Sequence, residues 1–186
     1  MINVNEAAEM RANFDNQTPF SPKIGDDSDE GKALRAKARA AIMRTRAKEF
    51  QHDSAGIELG YRYENSPICV ADGTPAPELD HGLYVPSTWP GARAPHVWLK
   101  DGRSTLDLFG KCFVLLNFSG MNTTTLTDAA TRTGLPLEVA NIGEPKVREI
   151  YERDLVLVRP DGHVAWRGDV APENPSEIID RVRGAL

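Results

Sequence analysis

A chain of 186 residues, 40% hydrophobic and 26% charged, is long enough to bury the core of one globular domain with an appendage. Its formal net charge of -5 argues against a general nucleic-acid or membrane-surface binder, which needs a basic excess to neutralise phosphates. Two cysteines, Cys69 and Cys112, give neither a disulfide framework nor a zinc spacing, and the acidic start Met1 to Glu9 lacks the basic and apolar regions of a signal peptide; a cytoplasmic protein is expected.

Residues 13–31 mix Asn, Asp, Pro and Gly and end in an acidic cluster, with Asp27 and Glu30 at capping-box spacing. From Lys32 to Phe50, Ala, Leu, Met, Lys and Arg without Pro or interior Gly predict a helix. Ala36, Ala40, Met43, Ala47 and Phe50 form its apolar stripe, suited to close packing against the rest of this chain or a partner, and Arg35, Lys37, Arg39, Arg44, Arg46 and Lys48 fall off it, on a solvated side or, in the functional alternative, an anion or nucleic-acid face. Six prolines between Pro67 and Pro95 forbid long helices and predict an extended segment, in which Ser66 to Thr74 is an apolar run ending in an Asp-Gly turn.

Beyond Pro95 the pattern is that of an α/β unit. Cys112–Phe118 reads as a strand buried on both faces, Asn122–Thr133 as a helix, Pro136–Ile142 as a second strand and Pro145–Arg153 as a short helix. Leu155–Val158 and Val164–Arg167 flank Pro160-Asp161-Gly162, a hairpin turn. Asn174, Pro175 and Glu177 open a last helix whose apolar face carries Ile178, Ile179, Val182 and Leu186. This order predicts a thioredoxin-like sandwich, a central mixed sheet with flanking helices. The expected organisation is an N-terminal loop and helical arm over 1–55, an extended Pro-rich linker over 56–94 and the sandwich over 95–186.

Thioredoxin chemistry needs a C-x-x-C at the start of the first crossover helix, and Phe118 to Leu126 contains no cysteine. The histidines, His52, His81, His96 and His163, lack metal-site companions. Arg93 and His96 in one loop and Asp161, His163 and Arg167 in another could form an anion site or proton relay if folding joins them; otherwise they tie loops together. No two glycines stand two apart, so the fingerprint that lets a backbone approach a dinucleotide pyrophosphate is missing from these residues.

Leu59-Gly-Tyr-Arg-Tyr63, Ser66-Pro-Ile68, Asp72-Gly73, Tyr84-x-Pro86, Pro90-Gly91-x-Arg93-x-Pro95-His96-x-Trp98-Leu99, Asp107-Leu-Phe-Gly110 and Leu157-Val-Arg-Pro-Asp-Gly-His-Val-Ala-Trp-Arg167 follow one another in order. Together they resemble the C-terminal region of class A FAD-dependent aromatic-ring hydroxylases, the group of phenol and dichlorophenol monooxygenases and polyketide hydroxylases. Helix 32–50 resembles, more weakly, the last helix of that family's catalytic portion. The resemblance implies a thioredoxin-like terminal domain without redox cysteines, concerned with packing and dimer contacts. It places FAD and the hydroxylation chemistry in a larger preceding domain, so no catalytic, FAD-binding or metal-binding residue carries over to this chain. The expected partners are a second copy or a flavin-domain hydroxylase subunit, and neither nucleic acid nor membrane. Two other readings stay open: a thiol-dependent oxidoreductase using Cys69 or Cys112, and a small anion- or ligand-binding module.

Overall fold

In the computed structural model, which describes residues 21–47 and 55–186, the Ala- and Arg-rich segment forms α1 (Asp29–Ala47). The cap is Ser28, one residue beyond the expected Asp27: its hydroxyl accepts from the Gly31 N–H at 3.1 Å and its carbonyl from the Lys32 N–H at 2.9 Å. The reason is the preceding 3-10 turn, Pro22–Gly25, which folds back on the first helical turn. A Cβ on Gly31 would collide with the Asp26 carbonyl oxygen, and Arg35 donates to the Ile24 and Asp26 carbonyls, both at 2.8 Å. Arg35 therefore secures this turn and is not merely a solvated charge. Within the described residues of this chain, the half-buried side of α1 is not the Ala stripe. Ala36 and Ala40 are exposed, whereas Gly31 is buried and Leu34 and Ala38 are half-buried. The side chains of Met43 and Ala47, and all of Phe50 and His52, lie outside the described residues. A short helix, α2 (Ala55–Leu59), follows.

The described residues up to Ile57, with His81–Leu83, form one compact unit; Glu58–Asp80 with Tyr84–Leu186 form the other. In the second unit the elements are β1 (Phe113–Asn117), α3 (Thr124–Thr133), β2 (Leu137–Asn141), α4 (Pro145–Tyr151), β3 (Leu155–Val158), β4 (Val164–Gly168) and α5 (Pro175–Val182). The strands lie in the order β2-β1-β3-β4, with β1 parallel to β2 and antiparallel to β3, and β3 antiparallel to β4. This is the expected thioredoxin-like sandwich.

Strand alternation sorts its two cores. Leu115, Leu155 and Leu157 pack with Leu126, Ala129 and Ala130 of α3 and Ile179 and Val182 of α5. Val114, Leu116, Val156 and Val158 face the other way, against Val147 and Tyr151 of α4 and the loop residues Ala94 and Leu99. Helix α3 begins at Thr124, two residues after the expected Asn122, because the Asn122 carboxamide oxygen accepts from the Thr124 N–H at 2.9 Å and holds Asn122 in a turn. Asn174 caps α5, accepting from the Glu177 N–H at 3.4 Å. The helix stops at Val182, so Leu186, expected on its apolar face, is 65% exposed.

At Leu157/Val158 the β3–β4 register shifts: Leu157 faces Trp166 and Val158 faces Val164, leaving Ala165 as an extra residue. Such a bulge reverses the alternation beyond it. Val164 and Trp166, two apart, thus enter opposite cores. The outer edge of β4 is covered by the Pro-rich segment. Val70 N–H donates to the Ala165 carbonyl and Gly91 N–H to that of Val164, both at 2.7 Å, while Val164 N–H donates to Ala92 at 2.9 Å. The chain thereby protects an edge that would otherwise expose unpaired backbone groups. Among the described residues no helix is long and apolar enough to cross a membrane.

Candidate functional site

Tyr61 and Tyr63, near the start of the second unit, meet the β3–β4 hairpin about a hundred residues further on. Tyr63 stacks on the His163 ring at 4.5 Å between centroids, and Tyr61 stands edge-on to both rings, at 5.5 and 6.0 Å. The Arg159 guanidinium lies 5.7 Å from the Tyr63 centroid and donates to Asp161 at 3.0 and 3.2 Å. Asp161 also accepts from the His163 N–H at 3.1 Å and from the Tyr63 hydroxyl at 3.3 Å. Partial burial raises the Asp161 pKa, but the Arg159 and His163 hydrogen bonds and neighbouring charges outweigh it, and the carboxyl falls below its ordinary value. Burial, followed by the charge of Asp161, pushes the Tyr63 hydroxyl up.

Arg93 joins this group through the backbone, in an antiparallel bridge with His163. Beside them lies an open cleft of about 350 Å³ lined by Arg93, Leu106, Phe109, Gly110, Pro160, Asp161, Gly162 and His163. Close approach at the root of this arrangement depends on Gly91. Its φ is +99°, Tyr63 N–H donates to its carbonyl at 2.9 Å, and a Cβ there would lie 2.6 Å from the Tyr63 carbonyl oxygen.

Arg167 lies elsewhere. The bulge turns it to the α4 side of the sheet, opposite Val156, where it is 5% exposed. It donates to Asp72 and Glu152, both at 2.7 Å, and to the hydroxyls of Thr88 at 3.0 Å and Thr74 at 3.1 Å. Thr88 donates onward to the Tyr151 carbonyl at 2.7 Å. Burial raises the Asp72 pKa, yet hydrogen bonds from Thr74 and Arg167, with the Arg167 charge, bring it below the ordinary carboxylate value. Glu152 reaches this node from a left-handed backbone, φ 65°, just past α4. His96 joins neither group: it is exposed and stands edge-on to the exposed Trp98 at 5.0 Å. The five expected residues thus divide into Arg93, Asp161 and His163 around one cleft, Arg167 in a buried ion cluster, and His96 on a separate surface.

Several residues central to these contacts had no distinguishing sequence signal. Arg62 is paired with Glu64 at 2.6 Å, donates to the Pro77 carbonyl at 2.7 Å and lies 5.4 Å from the Trp89 ring centroid. The Tyr151 hydroxyl donates to the Pro95 carbonyl at 2.7 Å, and burial pushes its pKa up. Burial also pushes up the thiols of Cys69 and Cys112, the direction that disfavours a reactive thiolate. Among the described residues no group of His, Cys, Asp and Glu could hold a metal ion.

The β1–α3–β2 unit is the place in this fold where a dinucleotide would meet a helix N-terminus. Its loop does not fit FAD. The Asn117 carboxamide fills it, donating to the Met121 carbonyl at 2.8 Å and accepting from the Met121 N–H at 3.1 Å, and the Thr124 N–H is taken by Asn122.

Residues 87–185 match the family described as aromatic-ring hydroxylase, C-terminal. The FAD-dependent monooxygenase apdD of Emericella nidulans is 42% identical over 145 residues, covering 72% of this chain and 23% of its own length. The 2,4-dichlorophenol 6-monooxygenase of Delftia acidovorans is 38% identical, covering 88% of this chain and 30% of its own. The structure of RebC-10x, native and bound to K252c, is similar with a TM-score of 0.76 at 40% identity over 100% of this chain and 35% of that one. The flavin-dependent monooxygenase PieE in complex with FAD and substrate follows with 0.67 at 38% identity, covering 88% and 31%. The chain spans 23% and 30% of the length of these two curated relatives. By sequence and by fold, it belongs to the aromatic-ring hydroxylase C-terminal family.

Proposed function

We propose that this chain serves as the C-terminal packing module of an FAD-dependent aromatic-ring hydroxylase, and that it neither binds flavin nor catalyses hydroxylation alone. The observation that carries this reading is the match of residues 87–185 to the terminal module, in a sequence where no two glycines stand two apart. In this reading the thioredoxin-like domain spans 95–186, the Pro-rich segment 56–94 straps its β4 edge, and the partner is a flavin-bearing hydroxylase portion or a second copy. Asp161, His163 and Arg167 act structurally, fixing loops and strap. A phenol-type substrate would belong to the flavin-bearing portion, as the name of the dichlorophenol monooxygenase relative suggests.

The test is the visible spectrum of the purified chain after incubation with FAD and desalting. No retained flavin band is expected, and a stoichiometric one would overturn the reading. A flavin-binding portion of a relative, supplied separately with its own flavin spectrum intact, is expected to co-elute with this chain; separate elution would remove the packing role.

A further inference from the structure

We propose that the cleft beside the β3–β4 hairpin binds a small organic anion with an apolar body, such as an aromatic carboxylate. Its volume of about 350 Å³ falls at the small end of the range typical of ligand pockets, roughly 300–1,000 Å³. The lining has two characters. Leu106, Phe109 and Pro160 supply apolar surface, and Gly110 and Gly162 add none of their own bulk. Arg93, His163 and the Asp161 carboxylate supply the polar groups.

The two acidic and basic members of the hairpin are already matched to each other, since Asp161 is held by Arg159, Tyr63 and the His163 N–H. Arg93 is not. Its backbone is fixed by the bridge to His163, yet among the described residues no hydrogen bond or ion pair engages its exposed guanidinium. The His163 ring is oriented by Tyr63 stacking and by Nδ1, 3.3 Å from the Asp161 carbonyl oxygen. That leaves Nε2 without a protein partner among the described residues. A guanidinium on a fixed backbone, next to apolar walls, suits a carboxylate held by two parallel N–H donors with its hydrocarbon body against Leu106 and Phe109. Any anion here meets one free cation beside the Asp161 carboxylate, which Arg159 already neutralises; inorganic phosphate, unlike an aromatic carboxylate, would also leave the apolar walls unused.

The test is an NMR titration of the full 186-residue chain with benzoate, benzyl alcohol and inorganic phosphate, following the Leu106 methyls and the Gly110 and Gly162 amides. Saturable shifts at these positions are expected with benzoate, at least tenfold tighter than with either control. Arg93→Ala is expected to keep nearly the wild-type melting temperature, because among the described residues the exposed guanidinium makes no hydrogen bond or ion pair and acts only through its charge on Tyr84, and to weaken benzoate at least tenfold; Arg93→Lys is expected to be intermediate. Equal affinity for phosphate or benzyl alcohol would overturn the ligand class, and unchanged benzoate affinity in Arg93→Ala would overturn the site. Neither result bears on flavin retention, so this proposal and the packing role fail separately.

Discussion

At the scale of single residues, Arg167 concentrates more tertiary information than any motif in which it was first noticed. Its guanidinium joins the Asp-Gly turn of the strap, the residue after α4 and the bulged strand, and no buried side-chain polar atom among the described residues lacks a partner. A buried charge is tolerated when its hydrogen bonds are filled, and removing one partner leaves the other uncompensated. Arg167→Met, similar in length but uncharged, is therefore expected to destabilise the second unit by about 3–5 kcal/mol. Urea unfolding with an unchanged slope checks this. The same cluster sets an acid response. Because the Asp72 pKa is depressed on folding, its contribution is fully present above the ordinary carboxylate range and is lost as pH falls through the lowered value. In Arg167→Met that part of the pH dependence is expected to flatten, measured as the unfolding midpoint against pH. An unaltered acid profile would mean Asp72 owes little to Arg167. His163 and Asp161 show why residue types alone were ambiguous: the same two residues serve a tied hairpin and the rim of a cleft, and the distinction rests on which atoms remain unengaged.

At the scale of elements, the strap and the sheet edge explain one another. The prolines of 67–95 keep this segment extended, and an extended segment is what can donate to the outer carbonyls of β4. Gly91 is the position where strap and aromatic cluster converge. With φ at +99° and the Tyr63 carbonyl in the space of a Cβ, Gly91→Ala combines backbone strain with a collision. A loss of about 1–3 kcal/mol is expected, together with weakened Tyr63–His163 stacking, read as faster amide exchange at Tyr63 and Val164. A Gly91→Ala protein with wild-type stability would mean the strap docks with slack. Helix α1 makes a contrasting case. Its existence follows from composition, yet its packed side is chosen by Gly31 and by Arg35 reaching the carbonyls of the preceding turn. Apolar periodicity could mark the Ala stripe, but it had no access to a glycine whose value is its missing side chain.

At the scale of the whole molecule, the chain keeps the thioredoxin-like architecture while its chemistry-bearing position is differently used. The loop after β1 is filled by Asn117, and both thiols sit where burial raises their pKa. Labelling of the native protein by a thiol-specific disulfide reagent at neutral pH is expected to be slow for Cys69 and Cys112, and rapid for both in denaturant; one fast native thiol would reopen a redox reading. The element order, the strand identities, the missing redox cysteines and the family were legible in the sequence. These depend on signals carried within a few residues: apolar runs, turn-forming Pro-Asp-Gly, caps, and motifs in fixed order. Local pattern also brought Arg93, Asp161 and His163 to notice. Their meeting with Tyr63, the separation of Arg167 from them, and the isolation of His96 beside Trp98 were decided by tertiary structure. One extra residue at Ala165 reverses which way the rest of β4 points, and pairing between segments some hundred residues apart is set by packing and edge hydrogen bonds that no local periodicity encodes.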